Sequence, residues 1–210
     1  MALDLEEQEQ VAELKAWWRQ YGTLIVAVIV ALAVAFAGWQ AWRWYQGSQA
    51  TRAGALYDAL GRAAQSGDAK AVRDASGALI ESYPGTLYAT MGALTAARFY
   101  FDRNELKDAK AQLQWATEHS SSDDFRDLAR LRLAAVLLEE KAYDEALRQL
   151  DEKHGAAYDA QYAALKGDVL VAKNDPAQAR AAYKVALDKA DAGNAAFRES
   201  VRMRLEALGG

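Results

Sequence analysis

A chain of 210 residues with a formal charge of −4 and no cysteine excludes several classes at once. It has no disulfide framework, no thiolate metal site and no lipid-bearing cysteine, and its intermixed charges lack the basic footprint that nucleic acid requires. Only two prolines in a composition rich in Ala, Leu, Arg, Gln and Glu predict an all-α fold.

Residues 1–21 form an acidic leader in which Asp4, Glu6, Glu7, Glu9 and Glu13 outnumber Lys15 and Arg19. Residues 22–42, "GTLIVAVIVALAVAFAGWQAW", follow without a single charge. A helix of that length covers the roughly 30 Å hydrocarbon core of a bilayer. Trp17, Trp18 and Tyr21 stand at one edge and Trp39, Trp42, Trp44 and Tyr45 at the other, where rings with an apolar body and a polar handle favour the headgroup zone. Ala35-Phe36-Ala37 has the form of a signal-peptidase site, but the leader is long and acidic where a cleaved signal is short and basic. The segment therefore predicts an uncleaved signal anchor. Lys15 and Arg19 on one side balance Arg43 and Arg52 on the other, so charge leaves the orientation open.

From residue 43 onward helical periodicity continues and repeats. Ala109, Ala146 and Ala179 align in "ELKDAKAQLQWA", "AYDEALRQLDEK" and "DPAQARAAYKVA", spaced by 37 and 33 residues. A small residue precedes each (Ala97, Ala134, Gly167) and a large one follows four later (Leu113, Leu150, Tyr183). A period in the mid-thirties with this order of small and large residues is that of tetratricopeptide helical hairpins. "KAYDEAL", residues 141–147, reads as the start of a second repeat helix. Ala116 and Ala186 continue the pattern, whereas Lys153 breaks it in the middle unit. Asp175 and Pro176 supply a cap and a first helical position. An earlier, degenerate unit is predicted from "RAGALYDALGRAAQ" and "DAKAVRDASGALIESYP", closed by Pro84. A capping helix with Phe197, Val201, Leu205 and Leu208 on one face completes the solenoid.

Little in the chain suggests catalysis. His119 in "EHSSSDDF" has Ser and Asp neighbours, but residues in one polar turn seldom reach triad geometry; Ser122, Asp123 or Asp124 reads better as a helix cap. His154 reads as a loop residue before a glycine stop at Gly155. No phosphate loop and no metal-ligating His pair appears. The expectation is a protein with no catalytic residue, no cofactor and no metal, acting through two surfaces. The concave groove of a tetratricopeptide fold is lined by the first helix of each unit, which places Met91, Leu94, Arg98 and Phe101, then Leu128, Leu131 and Leu138, then Asp168 and Val171, in an apolar groove suited to extended polypeptide. In the anchor, Thr23, Ala27, Ala31 and Ala35 form a stripe of small side chains against which another membrane helix could pack.

Taken in order, "EQVAELKAWWRQYG", "GWQAWRWYQ", "ATRAGALYDAL" and "KGDVLVAKNDPAQARAAY" resemble the YfgM family, ancillary subunits of the bacterial Sec translocon with a tetratricopeptide-like periplasmic domain. The resemblance covers essentially the full chain. It implies a single-pass inner-membrane protein: residues 1–21 a cytoplasmic tail, 22–42 the signal anchor, 43–210 the periplasmic domain. It also implies association with Sec channel subunits and a membrane-anchored periplasmic chaperone of the prolyl-isomerase type, assisting exported client polypeptides, and it offers no catalytic residues. The competing reading is a periplasmic adaptor for envelope assembly or cell division.

Overall fold

The computed structural model describes residues 3–209, with side chains at residue 10 and from 12 to 209; the acidic side chains of Asp4, Glu6, Glu7 and Glu9 lie outside the described residues. Its regular elements are helical, with no strand among the described residues: α1 (Leu3–Ser66), α2 (Ala69–Ser82), α3 (Leu87–Asp102), α4 (Leu106–His119), α5 (Asp123–Glu139), α6 (Tyr143–Asp151), a 3₁₀ turn (Ala156–Tyr158), α7 (Asp159–Ala172), α8 (Pro176–Lys189) and α9 (Ala195–Ala207). The chain divides into two compact units, one through Ser48 and one over Gln49–Gly210. This places the division six residues beyond the predicted end of the anchor.

Among its described residues the first unit is helical, with side chains held almost wholly outward. Leu24, Leu32 and Phe36 are each 64% exposed, and a window of 18 residues within the helix reaches a mean hydropathy of 2.4. That is the pattern of a helix whose apolar surface needs lipid or another helix around it. Its edges are organised by contacts one turn apart: Trp17 with Tyr21, Phe36 with Trp39, and the Arg43 guanidinium 4.9 Å from the Trp39 ring centre. Gly22 is buried under Trp18, whose ring leaves only 3.0 Å for a Cβ.

The second unit is a row of hairpins: the end of α1 with α2, then α3 with α4, α5 with α6, α7 with α8, and α9 last. From α2 onward each helix packs on its neighbour in sequence, and α3 also meets α5, as α5 meets α7. The small and large repeat positions account for this. Ala97, Ala109, Leu113, Ala134, Ala146, Leu150, Ala179 and Tyr183 are all buried. A Cβ on Gly167 would fall inside contact distance of the Tyr183 ring. Where the large residue is Leu113 or Leu150, the small one is alanine; where it is Tyr183, only glycine fits, so the volumes compensate.

The turns within the hairpins are equally regular. Gly67, Asn104, Lys141 and Asn174 occupy the left-handed region, with φ of 75°, 61°, 61° and 66°. The next residue in each case sends its N–H back to a carbonyl five residues earlier: Asp68 to Ala63, Glu105 to Tyr100, Ala142 to Leu137 and Asp175 to Leu170. This is the paired-bond ending that lets a helix stop and reverse. It recurs four times, including the degenerate first unit. Asp68 and Asp175 then cap the following helices through Ala71 N–H and Gln178 N–H, with Pro176 at the start of α8.

The middle unit departs from the others as Lys153 suggested. Its second helix, α6, ends at Asp151, so Lys153 lies beyond it, exposed. A lysine is tolerated there because that place is not helical and its side chain is exposed. The segment that follows is pinned by Asp127, 5% exposed, whose carboxylate accepts from Gly155 N–H at 2.8 Å. The Tyr162 hydroxyl donates to the Asp127 carbonyl and Arg130 to the Lys153 carbonyl. Gly155 therefore stops no helix: its φ is −72° and it opens the 3₁₀ turn. Beyond it, α9 buries Val201 completely and packs Phe197, Leu205 and Leu208 around a separate core of α7 and α8.

Candidate functional site: a cleft between two hairpins

The small residues that bring α3 and α5 together leave a cleft beside them. It has a volume of about 220 Å³ and is lined by Ala97, Arg98, Phe101 and Asp102 of α3, Leu113 of α4, and Arg132, Ala135 and Val136 of α5. Phe101 is 37% exposed. Arg98 is exposed, its Nε 3.6 Å from Asp102 Oδ2. Arg132 is half-buried; burial first, and then the charge of Arg98, lowers its pKa below the ordinary guanidinium value. The cleft thus joins an aromatic and aliphatic wall to two cations.

The predicted groove residues do not share one surface. Leu94 is a correction: it is 4% exposed and belongs to the core. It lies three residues before Ala97, so the two share a helix face, and the face that packs within the hairpin takes both. Leu128, Leu131 and Leu138 are half-buried against the same core. Met91 is half-exposed, and Val171 is 41% exposed. Asp168 is engaged: it accepts from the Tyr183 hydroxyl at 2.8 Å and from Arg204 of α9. Arg98 and Phe101 are the predicted residues that line the cleft. Arg132 was missed because its register-mates Thr95 and Leu165 carry no charge, although a cation within "LARLRLAAVLL" is itself a signal.

The histidine clusters are accounted for by packing. The His119 ring stacks on Trp115 with centroids 4.8 Å apart, and its Nδ1 lies 3.0 Å from the Trp115 carbonyl. Ser120 instead donates to the Ser122 carbonyl. Ser122 starts α5, but neither it nor an adjacent aspartate makes a side-chain cap there. His154 stacks on Tyr162 at 3.9 Å, its Nε2 3.4 Å from Asp159. Among the described residues no group of three His, Asp or Glu is placed to hold a metal ion. In the anchor, Thr23, Ala27, Ala31 and Ala35 are exposed and share one face by their four-residue spacing.

The chain matches known proteins along its length. A family model described as a tetratricopeptide repeat-like domain matches residues 15–210. The chain is 30% identical over 209 residues to a protein of Haemophilus influenzae named "Ancillary SecYEG translocon subunit", covering 99% of this chain and 100% of that one. Proteins of the same name from Neisseria gonorrhoeae and Escherichia coli are 30% and 29% identical, each covering at least 96% of both chains.

Proposed function

This chain belongs to the tetratricopeptide repeat-like family of ancillary SecYEG translocon subunits, and from that membership we propose that it is a membrane-anchored accessory protein of the Sec translocon. Residues 22–42 anchor it in the inner membrane, with residues 1–21 cytoplasmic and 43–210 periplasmic. The small-residue face of Thr23, Ala27, Ala31 and Ala35 meets a channel subunit. The repeat domain works beside a membrane-anchored periplasmic chaperone of the prolyl-isomerase type and assists newly exported polypeptides.

The observation that carries this reading is the match to the named relatives along the whole length, anchor included, rather than over the repeats alone. Physical chemistry supports the membrane anchor and a polypeptide-binding cleft. A helix with Leu32, Val34 and Phe36 about two thirds exposed gains by insertion in lipid, where small side chains allow close helix approach. A cleft with an apolar wall suits an extended chain. The protein acts by binding, in keeping with the ancillary-subunit name of its relatives, and the His119 and His154 rings bond to backbone carbonyls. Site-specific photocrosslinking from Ala31 and Phe101 in living cells tests the proposal.

A further inference from the structure

Arg132 gives the cleft a chemistry that its apolar wall alone lacks. Five arginines are half-buried among the described residues: Arg126, Arg130, Arg132, Arg180 and Arg198. Four are satisfied. Arg126 bonds Asp123 and the Ser120 carbonyl. Arg130 meets Asp127 and the Lys153 carbonyl. Arg180 donates to the Leu208 carbonyl, and Arg198 to those of Leu187 and Ala190. Arg132 alone of the five has neither a carboxylate nor a carbonyl partner among the described residues.

A guanidinium taken partly out of water without a partner is costly. Here the like charge of Arg98 adds to the cost of burial. An anion entering the cleft would give Arg132 the partner it lacks, and the partly exposed Phe101 beside it offers apolar contact.

We infer that Arg132, assisted by Arg98, receives the carboxylate of an acidic side chain in an extended polypeptide segment, whose neighbouring apolar side chain packs on Phe101. This rests on the reading of the groove as a polypeptide site. It adds a selection rule: among apolar segments, those bearing an aspartate or glutamate are preferred. Arg98 is the outer guide, already leaning on Asp102, and Arg132 is the inner anchor, because its lower exposure strengthens a charge-assisted bond.

The test uses the full chain in detergent micelles and three labelled peptides read by fluorescence anisotropy. One is acetylated and amidated, with a glutamate between leucines; the second has glutamine in its place; the third keeps the glutamine but ends in a free carboxylate. The glutamate peptide is expected to bind about tenfold more tightly than its glutamine counterpart. Arg132→Met is expected to erase that preference without lowering the melting temperature, since it removes an unpaired half-buried cation. Phe101→Ala is expected to weaken the glutamate and glutamine peptides alike. The inference is overturned if the preference survives Arg132→Met, if no preference or no binding is seen, or if the free-carboxylate peptide binds best. Crosslinking from the anchor to the Sec channel does not depend on Arg132, so failure here leaves that proposal standing.

Discussion

Arg204 of the last helix reaches Asp168 of α7, its Nη1 2.8 Å from Oδ2 and 3.1 Å from Oδ1. The same carboxylate accepts the Tyr183 hydroxyl of α8, so three helices share one acidic group. The Arg204–Asp168 pair is partly exposed and adds little stability alone, but it ties the capping helix to the third hairpin. Asp168 thereby leaves the groove, and the cation-lined cleft belongs to the two hairpins before it.

Stability falls at alkaline pH. Tyr162 and Tyr183 both have pKa values raised well above the ordinary tyrosine value, by burial first and then by Asp127 for Tyr162 and the Asp168 hydrogen bond for Tyr183. An unfolded tyrosine ionises near 10, while the folded ones keep their protons beyond it. Above that pH the native state holds more protons, so stability present below pH about 10 is lost as pH rises. Urea titrations between neutral and alkaline pH should show that loss, and Tyr183→Phe should make the decline shallower.

Gly167→Ala is expected to cost about 1–3 kcal/mol, because the added Cβ overlaps the Tyr183 ring. At the matching positions of the other hairpins stand alanine and leucine, so Tyr183→Leu should recover part of the loss. A double-mutant cycle by chemical denaturation measures this; strict additivity would contradict the volume argument.

Lys141→Gly is expected to stabilise the chain by roughly 0.5–1 kcal/mol, because lysine holds a left-handed turn at φ 61° where the other hairpins use glycine or asparagine. Thermal unfolding checks the sign. A loss would mean that the lysine side chain makes a contribution larger than the backbone strain.

The repeat was legible because packing imposes size: Ala97, Ala134 and Gly167 had to be small, and Leu113, Leu150 and Tyr183 large, for hairpins to close. The turn register was also present, in Gly67, Asn104, Lys141 and Asn174, yet the lysine disguises it. The groove was harder to read. Helix periodicity groups Leu94 with Ala97 but does not say which of two apolar faces meets solvent, and that depends on how the next hairpin stacks. Asp168 could not be recognised as occupied because its partner lies 36 residues away, on another helix. The sequence signals a cation within "LARLRLAAVLL" but does not separate Arg132 from Arg130; in three dimensions Arg132 lacks the carboxylate and carbonyl partners that Arg130 has.

The absence of native cysteine makes topology directly measurable. With the proposed orientation, Lys107→Cys in intact cells is labelled by a membrane-impermeant maleimide, while Gln10→Cys is labelled only after the membrane is opened. Both positions are exposed, so the reverse pattern would place the repeat domain in the cytoplasm.

The central claim is tested most directly by photocrosslinking in living cells from a probe at Ala31, on the small-residue face of the anchor, beside one at Phe101 in the cleft, with products identified by mass spectrometry. The account predicts Sec channel subunits from Ala31, and periplasmic chaperone or exported chains from Phe101. Capture of cell-wall or division proteins, with no translocon component from either position, would contradict it.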